Sequence, residues 1–265
     1  MTFPERIVCL TEEPTEVLYA LGEEKRIVGI STFTVRPKRA RSEKPRVSAF
    51  TSAHISEIIA LEPDLVIGFS DIQADIARDL IKAGVEVWIS NHRSIAGILG
   101  YVRRLGAMVG RGQEGNAYAD QLEAHVEAVR HQASGFRVRP RVYFEEWPDP
   151  IITGIGWVAE LVRVAGGDDV FPSLSASSLA KDRIVPDQGA VAATNPDVIL
   201  ASWCGKKVRI DQILARPEYQ QVPAIANGNV FEIDSSIILQ PGPAALTAGL
   251  DEIHRILAKV AGAAL

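Results

Sequence analysis

Glu62-Pro63-Asp64-Leu65-Val66-Ile67 returns 133 residues later as Asn195-Pro196-Asp197-Val198-Ile199-Leu200, and that repetition decides the fold. In both copies a Pro-Asp turn runs into an unbroken apolar stretch rich in β-branched residues. This is the pattern of a strand covered on both faces of a parallel sheet. Two further pairs keep the same order. Arg6-Ile7-Val8-Cys9-Leu10 returns as Arg141-Val142-Tyr143-Phe144-Glu145, 135 residues on. Gly84-Val85-Glu86-Val87-Trp88-Ile89 returns as Gly228-Asn229-Val230-Phe231-Glu232-Ile233, 144 residues on. A Pro-Asp entry alone is a common turn, but three matches in one order predict two similarly built lobes.

Outward from these stretches, strands are expected at 6–10, 26–30, 65–68, 86–89, 141–145, 198–201 and 230–233. Helical patterns lie between them, as at 71–82 and 95–108. The alternation predicts an α/β protein. Between the two sets of strands, Tyr118, Leu122, Val126 and Val129 recur near helical spacing within 113–134. Such a helix reaches about 30 Å, the diameter of a domain. The expected organisation is an N-terminal α/β lobe at 1–112, a bridging helix at 113–135 and a C-terminal α/β lobe at 136–265: two Rossmann-like lobes joined by a single long helix.

Composition excludes several classes of function. The 265 residues carry 28 Lys+Arg against 33 Asp+Glu, a net charge of −5, which argues against a general nucleic-acid binder and against binding to anionic membrane surfaces. Hydrophobic residues at 47% and charged residues at 23% are globular values. Cys9 and Cys204 are too few for a disulfide framework or a Cys-based zinc site. No basic segment followed by an apolar run stands at the N-terminus, and no stretch approaches the roughly 18 apolar residues of a membrane span. The expected place is therefore the cytoplasm, with the periplasm as the alternative if a signal peptide has been removed.

In open α/β sheets ligands bind beyond the carboxyl ends of the strands. The residues expected there form two chemical groups. One is aromatic: Phe50, Phe69, Trp147 and Trp203, which suit a large, rigid, partly apolar ligand. Trp88 and Trp157 read as core, and Trp147 and Trp203 have core packing as the competing reading. The other is carboxylate: Glu12, Glu13, Asp71, Glu145, Glu146 and Asp234. Convergent carboxylates are tolerated where a cation, metal complex or amide-rich ligand meets them. Taken singly, each also reads as a helix cap, and Ser70-Asp71-Ile72-Gln73 fits a capping box. Thr51 and Ser52 complete the first-lobe set. His92 is a satisfied loop histidine or an axial metal ligand. Cys204 precedes Lys206, which would favour a thiolate. No G-x-S-x-G, GK[ST] phosphate loop or G-x-G-x-x-G is present.

Pro4-Glu5-Arg6-Ile7-Val8, Val47-Ser48-Ala49-Phe50 and the stretch Ile58 to Ile67 resemble the substrate-binding proteins of cobalamin and iron-siderophore ABC importers. So do Ala165-Gly166-Gly167-Asp168-Asp169-Val170-Phe171 and Asn195 to Leu200. The resemblance covers nearly the whole chain and is strongest toward cobalamin-binding members. It implies two lobes, one long helix and a ligand in the cleft, with Phe50, Phe69 and the stretch Phe144-Glu145-Glu146-Trp147 at family aromatic positions. It also implies a docking glutamate on each lobe, where this sequence has Ser56 and a residue near Gly189. Coupling to an importer is therefore not expected.

The function expected is non-catalytic binding of cobalamin or a related corrinoid by a monomer, with the corrinoid as ligand. The alternatives are a cytoplasmic corrinoid-remodelling enzyme, a siderophore or haem binder, and direct metal binding by Glu145, Glu146, Asp234 and His92.

Overall fold

A computed structural model describes residues 3–263. Contacts divide the chain into two compact lobes. The first holds the residues up to His92 together with Ala96–Leu122, and the second holds Arg93–Ile95 together with the residues from Glu123 onward.

The first lobe contains β1 (Ile7–Cys9), β2 (Ile27–Ser31), β3 (Arg46–Ser48), β4 (Leu65–Phe69) and β5 (Val87–Ser90), in the order β3-β2-β1-β4-β5. Every pair is parallel. The order reverses between β1 and β4, the switch point at which open sheets of this kind leave a crevice. The core under this sheet gathers Val8, Leu10, Val47, Ile58, Val66, Ile76 and Leu80. Burial on both faces explains why β1 and β4 carry no alternating polar residue.

The second lobe contains β6 (Arg141–Pro148), β7 (Ile151–Thr153), β8 (Asp168–Asp169), β9 (Val198–Ala201) and β10 (Val230–Glu232). The order is β10-β9-β6-β7, with β8 also on β6. Only β7 runs antiparallel. Its core includes Tyr143, Ile199, Trp203, Ile213 and Tyr219.

The repeat seen in the sequence has a physical basis. Glu62 and Asn195 hold φ of 47° and 50°, the left-handed turn that ends a helix before each Pro-Asp. Asp64 accepts from the backbone N–H of Glu5 and Arg6, and Asp197 from that of Arg141. The Arg6 guanidinium returns to the Leu61 and Glu62 carbonyls, and that of Arg141 to Thr194. Each Pro-Asp thus fastens the start of its own strand to the start of a neighbouring one.

The long helix spans Gly112–Ala133, and the lobe boundary falls inside it. In the first lobe it crosses the helix Ile95–Met108 almost backbone to backbone. A Cβ on Gly106 would lie 2.8 Å from the Gly115 Cα, and one on Gly115 would lie 3.0 Å from the Gly106 Cα. In the second lobe, the helix Leu250–Val260 meets the other half. His125 Nε2 lies 2.8 Å from Asp251 Oδ1, and Phe136, just past the long helix, stacks on His254 at 5.5 Å.

The seven expected strands are present with ends shifted by up to three residues; β3, β7 and β8 are additional. The helical pattern at 71–82 is a 3-10 turn, Asp71–Gln73, followed by the helix Ala74–Lys82. Among the described residues no helix is long and apolar enough to cross a membrane.

Candidate functional site

In the first lobe the carboxyl ends of all five strands share one edge, and the loops leaving them carry the candidate residues. Gln73 organises this edge. Fully buried, it accepts from the Phe69 N–H at 2.9 Å and donates to the carbonyls of Phe50 (3.1 Å) and Leu10 (3.4 Å). One amide therefore ties the ends of β1 and β4, on either side of the switch point, to the loop after β3. Gly68 makes room for it, since a Cβ there would lie 2.5 Å from Gln73 Oε1. The capping box is realised in altered form: Ser70 accepts from the Ile72 N–H, while Gln73 reaches one residue further back than the box requires.

Over this base, Phe69 and His92 are buried and in contact edge to face at 5.2 Å. His92 stacks on Tyr101 at 4.8 Å, and Tyr101 on Trp88 at 5.2 Å. Ser90 Oγ and His92 Nδ1 share a hydrogen bond of 2.7 Å. His92 is thus an interior ring with a local partner, the satisfied loop histidine of the two readings. Thr51, Ser52 and Asp71 are exposed, and Phe50 is half-buried.

Glu12 and Glu13 open the helix Glu12–Ala20 and are 2% and 3% exposed. Glu12 accepts from the Val35 N–H at 3.3 Å and meets Arg36 Nη1 at 3.5 Å. Burial pushes its carboxyl up to about 8, against the opposing pull of the Val35 N–H and Arg36. Burial raises Glu13 as well, and its Oε2 is enclosed without a hydrogen-bond partner.

The sequence reading passed over the loop that follows β2. Phe33, in that loop, is 48% exposed, and Arg36 lies three residues further along. An aromatic immediately after a buried strand was the available signal. His54, exposed just beyond the Phe50–Ser52 turn, was also passed over.

In the second lobe β6, β9 and β10 point the same way, and their ends present a different chemistry. Glu145 is fully buried. Both its oxygens face the Arg216 guanidinium (Nη2–Oε1 3.0 Å), with Trp203 Nε1 at 3.2 Å and the Tyr143 hydroxyl at 3.1 Å also donating. Burial opposes the Arg216 charge, but Glu145 outweighs it and holds the guanidinium above its ordinary value. Glu146 is bracketed by Arg183 (2.6 and 2.8 Å), which also donates to the Thr153 carbonyl.

Trp203, 4% exposed, belongs to the core, as Trp157 does through its bond to the Ile238 carbonyl. Trp147 is half-buried, its Nε1 donates to the Asp149 carbonyl, and Lys206 Nζ sits 4.5 Å from its ring centroid. Lys206 is thus placed over an aromatic face, while the surroundings of Cys204 raise its thiol: desolvation acts first and the Glu146 charge second. The expected thiolate is corrected accordingly. Asp234 is exposed and caps the Ser236 N–H at 2.8 Å.

The four-residue cation set is corrected too. Glu145 and Glu146 are engaged by arginines, Asp234 caps a helix, and His92 is interior. Among the described residues no group of three His, Cys, Asp or Glu could hold a metal ion. The arginines that answer the two glutamates were not found from sequence, because Arg216 lies 71 positions from Glu145 and Arg183 lies 37 from Glu146.

A sequence model of the family described as periplasmic binding protein matches residues 7–237. A vitamin B12-binding protein of Vibrio vulnificus is 24% identical over 251 residues, covering 92% of this chain and 87% of that protein. The periplasmic heme-binding protein RhuT from Roseiflexus sp. RS-1, in apo form, superposes with a TM-score of 0.83 at 24% identity, over 97% of this chain and 99% of that one. The periplasmic vitamin B12 binding protein BtuF of Vibrio cholerae superposes with a TM-score of 0.78 at 21% identity, over 98% of each chain.

Proposed function

The chain belongs to the periplasmic binding protein family, and on that premise we propose that it binds a large metal chelate, first of all cobalamin or a related corrinoid, without altering it chemically. The family is one of solute-binding proteins rather than enzymes.

The observation that carries the reading is the selection among aromatics. Phe69 and Trp203 are withdrawn into the interior, whereas Phe33, Phe50 and Trp147 keep exposed surface at loops leaving the strands. Flat, partly apolar faces held on a rigid base suit a corrinoid ring, which is bound by stacking and shape. The vitamin B12-binding relative, matched along 92% of this chain, supports the same ligand.

Haem is the second reading, favoured by one residue. His54 is an exposed imidazole beside the Phe50–Ser52 turn and could serve as an axial ligand. Titration of the purified protein with cyanocobalamin and with haemin, followed by tryptophan emission and visible absorbance, separates the two. The corrinoid reading expects saturable quenching by cyanocobalamin that His54→Ala leaves unchanged. Haem binding that needs His54, with no response to cyanocobalamin, would replace it.

The relatives whose names give a location are periplasmic. The cytoplasmic placement expected from the N-terminal residues draws no support from them, and the periplasmic alternative is the one adopted. Productive docking on an importer is not part of the proposal. Ser56 and Gly189 are exposed at the places where the resemblance implies glutamates, and Asp187 beside Gly189 is engaged as a cap on the Ala190 N–H. ATPase stimulation of a reconstituted cobalamin importer by the loaded protein would reverse this point.

A further inference from the structure

The loop after β2 returns toward β3 through Thr32, whose N–H donates to the Ser48 carbonyl at 2.7 Å, and then turns outward. Its first turn is closed by Ser31, whose side chain accepts from the Phe33 N–H at 3.2 Å and whose carbonyl accepts from the Thr34 N–H at 3.1 Å. Phe33 is left facing out while Thr34 is fully buried. The next two residues, Val35 and Arg36, are the ones that meet the Glu12 carboxylate. Glu12 lies on a different element, at the start of a helix 23 positions from Val35, and is almost entirely covered.

We propose that Glu12 is a positioning residue that latches the loop 32–37, and with it Phe33, and that release of the latch is coupled to loss of the Glu12 proton. Its bearing on ligand affinity rests on the corrinoid reading above; the latch itself does not.

A carboxyl that is covered when the loop is down and wetted when the loop lifts holds its proton more tightly in the closed form. Ionisation must therefore favour the open form. Charged and titratable groups face Glu12 from the loop and from its own helix. Arg36 comes from the loop, and Glu13 and Glu16 from its own helix; Tyr118 of the long helix and Lys44 stand beside Glu16 and Cys9 respectively. Arg36 favours the ionised form, the two glutamates oppose it, and burial is the largest influence, raising the carboxyl to about 8. The latch is therefore firmest below about 4.5, weakens as the pH rises from there, and stops changing above about 8.

The test is ¹⁵N NMR of the full chain without ligand, following the Val35 amide through this range, together with cyanocobalamin affinity on either side of it. The wild type is expected to show a Val35 titration with its midpoint between about 4.5 and about 8, and an affinity that falls by roughly fivefold from the acid to the alkaline side of this window, the low end of a typical coupling. In Glu12→Gln the Val35 titration disappears and the affinity becomes independent of pH. Arg36→Gln, in the loop itself, keeps the carboxyl and moves the midpoint upward, because the cation that favours ionisation is gone. A Val35 amide that does not titrate, or one that titrates identically in Glu12→Gln, overturns the latch. A titrating latch with one affinity at both pH values overturns the positioning role. A titrating latch with no cyanocobalamin binding at any pH upholds the latch and removes the corrinoid reading instead.

Discussion

Both lobes hold two adjacent glutamates close to the carboxyl edge of their sheet, Glu12 and Glu13 in one and Glu145 and the partly covered Glu146 in the other, and they treat them in opposite ways. In the second lobe each has an arginine: Arg216 spans both oxygens of Glu145, and Arg183 does the same for Glu146. In the first lobe Glu12 meets Arg36 at 3.5 Å, the Glu13 Oε2 is enclosed without a hydrogen-bond partner, and burial raises both. The consequence is a division of labour. A carboxylate clamped by a buried guanidinium is a fixed brace, costly to break. A covered carboxyl held near neutrality is cheap to mutate to its neutral isostere and responsive to protons.

The strongest way to break this contrast is Arg216→Met. It strands a fully buried carboxylate, and the expected loss is about 3–5 kcal/mol in urea unfolding. Adding Glu145→Leu should recover most of it. A loss within the roughly 0–1 kcal/mol of an exposed pair would show that the brace is not one.

The counterpart in the first lobe is a pH effect. Glu12 has its folded-state value raised above the ordinary 4.5. Its contribution is therefore fully present below about 4.5 and is lost as pH rises toward about 8. Stability should decline over that window with a slope of at most about 1.4 kcal/mol per pH unit, one proton's worth, and Glu12→Gln should remove that part of the slope. Unfolding midpoints at several pH values, wild type against variant, measure it; identical slopes would erase the distinction between the lobes.

Arg183→Met sharpens the comparison within the second lobe. Its partner Glu146 keeps 18% of its side-chain surface, so water can answer part of the stranded charge. The expected loss is about 2 kcal/mol, below that of Arg216→Met. Next come the exposed aromatics. Phe33→Ala in one lobe and Trp147→Ala in the other should each weaken cyanocobalamin binding by about 1 kcal/mol in fluorescence titration, with little change in stability. An effect on stability alone would place both rings with the core. The smallest effect expected is that of Asp234→Ala, which removes a cap from a four-residue helix and should cost about 0.5 kcal/mol without touching affinity.

What could be read from the sequence followed the range of the interactions. The two Pro-Asp entries declared themselves because the turn, the aspartate and the strand are contiguous, and the long helix because Leu122, Val126 and Val129 fall on one face. β3 was missed because only three residues pair and Lys44, Pro45 and Arg46 hide them; β8 was missed because it is two aspartates. Glu12 and Glu13 were legible as residues at a helix start, but Glu12 is met by a loop that returns from beyond β2. Glu145 was read as facing a ligand because nothing near it in sequence announces Arg216. Trp147 and Trp203 looked alike as post-strand tryptophans, and only the second has a buried acceptor, Glu145, to receive its indole N–H.

That the lobe boundary falls inside the long helix bears on how the chain is made. The first lobe has its last residue, Leu122, as soon as half of that helix has been synthesised. It can then fold beside the ribosome, as N-terminal units commonly do. The other half has no such early partner. Its neighbours, Asp251 and His254, are made more than 100 residues later; His125 and Asp251 are 126 positions apart. Closing the second lobe therefore depends on a contact of long sequence separation that is slow to form. Biosynthesis passes through a stage with one finished lobe and one waiting for the helix Leu250–Val260, and a nascent chain stopped before Leu250 is left with the second lobe open while the first is already complete.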